Sequence, residues 1–300
     1  MESENPIIVI AGPTSSGKSD LAITLAKEIN GYIINADSRQ VYKELKIGTA
    51  QPKPEKIDND IWYIDSIRHF LYGYRSLTNP FNISIYQDNV QDILDTQEGV
   101  PILVGGTGLY IDCIVNNYDL KNEEIDLKLR EKLSRLSPKK LQHLISPNVL
   151  KEMNESDKKN PRRLIRIIEE GKIERKGISR KKNQPLKNIY FVIDISTEEL
   201  KSKIAKRIDR MFKEGLAEEV KGLFNKYDKN LPSFNTIGYQ EFRDYFNGER
   251  TIDEVKEEIL THTCQYAKRQ RTWFRRNKNA IWTKDVNKIL QEAEQFITIS

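Results

Sequence analysis

Cysteine is scarce in this sequence. Cys113 and Cys264 are the two, far apart and with no second ligand pair beside either. That pattern excludes a disulfide scaffold and gives no support to a Cys/His zinc site, so both are read as packed thiols. No run of eighteen apolar residues occurs, so no membrane-spanning helix is expected. Met1-Glu2-Ser3-Glu4 is acidic where a secretory leader would be basic. These absences together predict a cytoplasmic chain with no membrane association.

Acidic residues are also missing where they would balance two basic islands. The net charge is +5, yet residues 121–187 carry 20 Lys and Arg against 10 Asp and Glu. Residues 260–284 hold seven Lys and Arg and no acid, and the rest of the chain is acidic. Evenly solvated surface charge does not sort in this way, and a polyanionic partner accounts for it better.

Residues 12–19 read Gly12-Pro13-Thr14-Ser15-Ser16-Gly17-Lys18-Ser19, a complete G-x-x-x-x-G-K-[ST] sequence. The apolar run Ile7-Ile8-Val9-Ile10 precedes it. A helical pattern with Leu21, Leu25 and Ile29 on one stripe follows it. In such a loop, glycines let the backbone wrap an anion. Amide N–H groups and a helix N-terminus point at it, Lys18 adds a full charge, and Ser19 is placed to ligate Mg²⁺. The loop is expected to hold a phosphate or diphosphate.

Further apolar runs at 32–34, 101–104 and 189–193 read as buried parallel strands separated by helical patterns. Lys-rich residues 115–187, broken by Pro138, Pro147 and Pro161, read as a helical insertion, and residues 197–225, interrupted by Gly215, and 251–278 as further helical stretches. The expected fold is α/β: a P-loop NTPase-like core with a parallel sheet flanked by helices, formed by residues 1–114 and 188–300. A basic helical insertion domain spans 115–187.

Two more strand ends carry polar chemistry. The second strand runs into Asn35-Ala36-Asp37-Ser38-Arg39-Gln40, and the third into Gly105-Gly106-Thr107-Gly108. Ligands of open α/β sheets bind outside the carboxyl ends of the strands, so Asp37 and Thr107 should face the crevice that the P-loop faces. The Asp37 carboxylate could ligate metal, accept a proton or cap the next element.

These stretches, in this order, resemble the tRNA dimethylallyltransferases (tRNA isopentenyltransferases). The resemblance continues through Ile47-Gly48-Thr49-Ala50, Asn160-Pro161-Arg162-Arg163 and Arg207-Ile208-Asp209-Arg210. It runs on through Thr236-Ile237-Gly238-Tyr239-Gln240-Glu241 to Gln265-Tyr266-Ala267-Lys268-Arg269-Gln270-Arg271-Thr272-Trp273-Phe274-Arg275. It implies transfer of a dimethylallyl group from its diphosphate to the exocyclic amine of the adenosine 3′ of the anticodon, in tRNAs that read codons beginning with U. By that analogy Asp37 is the base, Thr107 hydrogen-bonds the same centre, and Gln40 reads the flipped-out adenine. The P-loop, Lys18, Arg207 and Ser19 with Mg²⁺ stabilise the leaving diphosphate. Contacts to the tRNA anticodon stem-loop fall on Asp37, Ser38, Arg39 and Gln40, and on Pro161, Arg162, Arg163, Leu164 and Ile165. They also fall on Gly238 and Tyr239, and on Lys268, Arg269, Gln270, Arg271, Trp273 and Arg275. His69, His143 and His262 match no motif of the family and are read as structural or surface groups. The chain lacks the cysteines of an appended zinc finger, which points to a bacterial-type enzyme, expected to be a monomer. A P-loop kinase, an isopentenyltransferase acting on free adenine nucleotides, and a nucleic-acid-binding NTPase share parts of the pattern. The first two have no need of the basic islands, and a clear Walker B strand for the third is missing.

Overall fold

In a computed structural model of the chain, residues 6–79, 81–120, 126–169 and 184–299 are described. They divide into two compact units: Met1–Asn117 with Gln184–Ser300, and Tyr118–Asn183.

The first unit begins with β1 (Ile7–Ala11), α1 (Lys18–Glu28) and β2 (Gly31–Asn35). β3 (Lys56–Asp58), β4 (Ile61–Ile64) and β5 (Ile67–Phe70) follow, then α2 (Ile83–Thr96), β6 (Val100–Gly105) and α3 (Gly108–Val115). The second unit holds α4 (Leu127–Ser134), α5 (Pro138–His143), α6 (Pro147–Glu152), α7 (Glu155–Lys158) and α8 (Pro161–Glu169). The chain then returns to the first unit through β7 (Asn188–Ile193), α9 (Thr197–Lys213), α10 (Leu216–Lys226), α11 (Ile252–Phe274), β8 (Ile281–Thr283) and α12 (Val286–Ile299).

The eight strands form one sheet in the order β3-β4-β5-β2-β6-β1-β7-β8. The pairs β5/β2, β2/β6, β6/β1, β1/β7 and β7/β8 are parallel. β3/β4 and β4/β5 are antiparallel. Central strands are apolar throughout because both faces are covered. Ile7, Val9, Tyr32, Ile34, Leu103 and Val192 enter one core, with residues of α2 and α3. The alternate residues Ile8, Ile10, Ile33, Ile102, Val104 and Phe191 enter another, with residues of α1 and α12. A third core joins Val41 and Leu45 to α9, α10 and α11.

The four expected parallel strands are present. The meander β3–β5 and the short β8 are additions. Its two turns, Asn59-Asp60 and Asp65-Ser66, place both residues at positive φ, the geometry that suits a tight hairpin between twisted strands. The interruption expected at Gly215 within 197–225 is present: Gly215 takes φ 94° and separates α9 from α10. Among the described residues no helix is long and apolar enough to cross a membrane.

In the second unit, Pro138, Pro147 and Pro161 each start a helix rather than end one, since an N1 proline has no N–H to lose. Its core is Leu133, Leu141, Ile145, Val149, Met153, Leu164, Ile165 and Ile167.

Candidate active site

Three strand ends and two helices meet in the first unit. The P-loop leaves β1 and enters α1 at Gly17, whose φ of 93° is left-handed and admits glycine without strain. The Lys18 ammonium folds back to donate to the Pro13 carbonyl at 2.7 Å. Burial lowers its pKa to about 8; the Asp37 carboxylate opposes that shift and the Arg207 guanidinium adds to it. The Ser15 and Ser16 hydroxyls are buried with no hydrogen-bond partner. A loop with two unanswered hydroxyls, a helix N-terminus and a desolvated ammonium is built for an anion.

Thr14 is held twice. Its N–H donates to Gln270 Oε1 at 2.9 Å, and its hydroxyl accepts from Arg207 Nη1 at 2.6 Å. Arg207 comes from α9 and also donates to the Thr49 carbonyl at 3.1 Å. Burial lowers its pKa, against the pull of Asp37.

At the end of β2, Asn35 braces the turn that carries Asp37. Its amide donates to the Leu71 and Asp37 carbonyls, and its oxygen accepts the Asp37 N–H at 2.9 Å. Asp37 Oδ1 in turn accepts the Arg39 N–H at 2.8 Å, closing a local turn. Asp37 reaches Lys18 and Arg207 electrostatically. It also helps raise the pKa of Tyr72, Tyr110 and Tyr266, for each of which burial is the larger cause.

At the end of β6, a Cβ on Gly105 would lie 2.2 Å from the Ala36 carbonyl oxygen, so only glycine allows the β2 and β6 ends this close. Thr107 N–H donates to the Ala36 carbonyl, and its hydroxyl accepts the Ser38 N–H at 3.1 Å. Asp37, Ser38 and Thr107 therefore share one corner. Tyr266 on α11 lies near Thr107, and burial is the main cause that raises its pKa to about 12. Gln40 spends its amide N–H groups on the Thr49 and Ala50 carbonyls at 3.0 and 3.1 Å, which leaves its oxygen as an acceptor.

Several residues expected at a tRNA surface lie inside. Tyr239 is fully buried; its hydroxyl donates to Glu219 Oε1 at 2.7 Å and accepts the Gly48 N–H. A side chain with no accessible surface cannot touch a polynucleotide, so its role is to shape the 47–50 turn. Gly238 sits beside it with its N–H given to the buried Glu241 carboxylate, which also meets His262 at 2.7 Å. Gln270 is 5% exposed and uses both ends of its amide internally. Trp273 donates from its ring nitrogen to Asp112 at 2.9 Å, and its ring fills the space beside Gly108.

Lys268, Arg269 and Arg275 are exposed on α11, while Arg271 donates to Thr197 at 3.1 Å. In the second unit, Leu164 and Ile165 are core residues. Arg162 and Arg163 are exposed at the start of α8, and the Arg163 guanidinium pairs with Asp157. An open groove there is lined by Ser134, Lys159, Asn160, Pro161, Arg162 and Ile165, among others.

Glu219, Asn35 and the inward role of Gln270 escape sequence reasoning. Each acts on a partner the sequence does not place beside it, apart from the Asn35–Asp37 contact, which the Asn-Ala-Asp spacing could have suggested.

As to metals, no group of three or more His, Cys, Asp or Glu side chains could hold an ion among the described residues. Ser19 presents an exposed hydroxyl on the first turn of α1. That donor set fits a divalent ion carried on diphosphate oxygens and water rather than a protein cage.

The IPP transferase family profile matches residues 40–277. A protein named tRNA dimethylallyltransferase from Gloeothece citriformis is 38% identical over 289 residues, spanning 93% of this chain and 91% of its own. One of the same name from Acetivibrio thermocellus is 36% identical over 291 residues, spanning 92% and 90%. The crystal structure of a tRNA isopentenylpyrophosphate transferase from Bacillus halodurans aligns with a TM-score of 0.71 and 29% identity, over 98% of this chain and 96% of that one. This chain belongs to the IPP transferase family.

Proposed function

We propose that the protein transfers a dimethylallyl group from dimethylallyl diphosphate to the exocyclic amine of the adenosine 3′ of the anticodon, in tRNAs reading codons that begin with U. One observation carries the chemistry: the Asp37 carboxylate lies within electrostatic reach of Lys18 and Arg207, two desolvated cations at the P-loop. A base thus sits beside an anion cradle, which is what alkylation of an amine by an allylic diphosphate needs.

In the reaction the adenine amine forms a bond to C1 of the dimethylallyl group as the C1–oxygen bond to diphosphate breaks. The electron pair leaves with diphosphate, where Lys18, Arg207 and the P-loop amides meet the developing charge; each such donor is worth roughly 10²–10³ in rate. The amine proton goes to Asp37. Its Oδ1 is engaged by the Arg39 N–H, so Oδ2 is the atom assigned to take the proton. Thr107, fixed by the Ser38 N–H, orients the same centre. Gln40 offers a carbonyl oxygen, which suits a partner that carries an N–H.

Ser19 would hold a Mg²⁺ that neutralises diphosphate oxygens. The amine of a stacked base cannot enter such a corner, so the adenosine must be extruded. Arg162 and Arg163 on α8, and Lys268, Arg269 and Arg275 on α11, are assigned to phosphates of the anticodon arm.

Incubation with labelled dimethylallyl diphosphate and either tRNA or AMP tests this reading. Label in tRNA with release of diphosphate is expected. Label in AMP alone, or in neither acceptor, overturns it.

A further inference from the structure

On α11, residues 266, 270 and 273 fall on one helical face, three to four positions apart. Tyr266 meets Thr107, Gln270 meets the P-loop and the β6–α3 loop, and Trp273 meets Gly108 and Asp112. Lys268, Arg269 and Arg275 are exposed on the same helix. The helix therefore separates an exposed basic side from a side that grips the strand-end loops.

Gln270 is the centre of that grip. Its Oε1 accepts the Thr14 N–H at 2.9 Å and its Nε2 donates to the Gly106 carbonyl at 2.8 Å. The first partner is in the P-loop and the second is in the turn that carries Thr107. A primary amide accepts from the one and donates to the other, in one plane and without charge. The fit has no slack: a Cβ on Gly106 would lie 2.1 Å from Gln270 Nε2.

We propose that Gln270 is a positioning residue for the donor diphosphate, setting the spacing between the P-loop and the Gly106–Thr107 turn rather than contacting tRNA. This rests on the donor site assigned under Proposed function. Loss of the tie frees Thr14 to shift, and a shift of about 1 Å in an anion cradle is enough to weaken binding and misplace the leaving group.

The test uses Gln270→Leu, which keeps bulk and removes both bonds, and Gly106→Ala, which displaces the amide without changing it. Each full-length variant is assayed for inorganic pyrophosphate affinity, for tRNA affinity in the absence of donor, and for kcat and KM of transfer. Pyrophosphate binding about tenfold weaker or more, a kcat lowered by at least as much, and tRNA affinity within about twofold of wild type are expected. Gly106 is not at positive φ, so its alanine variant keeps its backbone and decides the matter if Gln270→Leu does not fold. Pyrophosphate affinity within about twofold of wild type overturns the proposal, and so does a loss that falls on tRNA as heavily as on pyrophosphate. Pyrophosphate binding does not require turnover. If the wild-type protein binds pyrophosphate but prenylates no tRNA, the reaction fails while the positioning role is still judged by the variants.

Discussion

The guanidinium of Arg207 donates to the Thr14 hydroxyl at 2.6 Å across 193 residues of sequence. The P-loop therefore meets a cation from α9 as well as its own Lys18, and each is desolvated near Asp37. Two partly buried cations at one loop repel one another, and Asp37 offsets that only in part until a ligand anion arrives. The ligand-free protein carries that cost, and the predictions for the donor site follow from it.

Lys18→Met should abolish transfer and raise stability at pH 7. The Lys18 pKa is lowered to about 8 in the fold, below its usual value, so the folded chain binds fewer protons than the unfolded chain between about pH 8 and 10.5. The charged lysine is thus destabilising in full below pH 8, and the penalty fades as pH rises toward 10.5. The gain from Lys18→Met should be between about 1 and 3 kcal/mol at pH 7, counting about 1.4 kcal/mol per pKa unit and discounting for partial solvent access. It should shrink toward zero by pH 10. Urea unfolding at pH 7 and pH 10 checks this; an equal effect at both pH values refutes it.

The same pKa sets a ligand-binding profile. Wild-type affinity for pyrophosphate should fall as pH rises through about 8, whereas Lys18→Arg stays charged and should lose less over that interval. Calorimetric titration of both proteins at pH 7 and 9 isolates the lysine, since titration of pyrophosphate itself is common to the two. Parallel losses would place the ammonium away from the ligand.

Asp37→Asn should lower kcat by roughly 10²–10⁴, the range for loss of a general base. The asparagine oxygen can still accept the Arg39 N–H that Asp37 Oδ1 accepts, so the turn survives and both substrates should bind nearly as before. Single-turnover rates with saturating tRNA and donor are the measurement. A normal rate with weak tRNA binding would make Asp37 a group that only orients the nucleic acid.

Tyr239→Phe tests a residue whose place the sequence misrepresents. Removal of the hydroxyl strips the Gly48 N–H of an acceptor and Glu219 of a buried donor, at about 1–3 kcal/mol. Stability should drop by that order with tRNA affinity unchanged, because the ring is fully buried. A variant of wild-type stability that binds tRNA poorly would return Tyr239 to the interface.

The contrast between Tyr239 and Asp37 marks what the sequence makes legible. The strands β1, β2, β6 and β7 are readable because burial on both faces leaves unbroken apolar runs, and the P-loop, Asp37 and Thr107 follow them directly. β3–β5 mix exposed Lys56 and Asp58 with Trp62 and Phe70, and β8 is three half-buried residues, so neither pattern stands out. Basic and aromatic residues on α11 look alike in sequence. The division of α11 into an outward Lys268 and an inward Gln270 depends on what Thr14 and Gly106, more than 160 residues away, present to the helix.

Salt dependence tests the nucleic-acid surface. Lysines and arginines on α8 and α11 that neutralise tRNA phosphates release counterions, so the logarithm of affinity should fall steeply with the logarithm of salt, by roughly 0.7–0.9 per phosphate. Arg162→Ala should flatten that slope by about one unit, with dimethylallyl diphosphate binding unchanged. Arg163→Ala should flatten it less. The Arg163 guanidinium already pairs with Asp157, and the carboxylate competes with a phosphate for it. Asp157→Asn should then raise tRNA affinity at low salt, and the double variant Asp157→Asn with Arg163→Ala should lose that gain. Fluorescence titrations of tRNA at several salt concentrations read the wild type and all four variants. Equal slopes for wild type and Arg162→Ala would remove α8 from the interface, and an unchanged affinity in Asp157→Asn would mean that the ion pair persists when tRNA is bound.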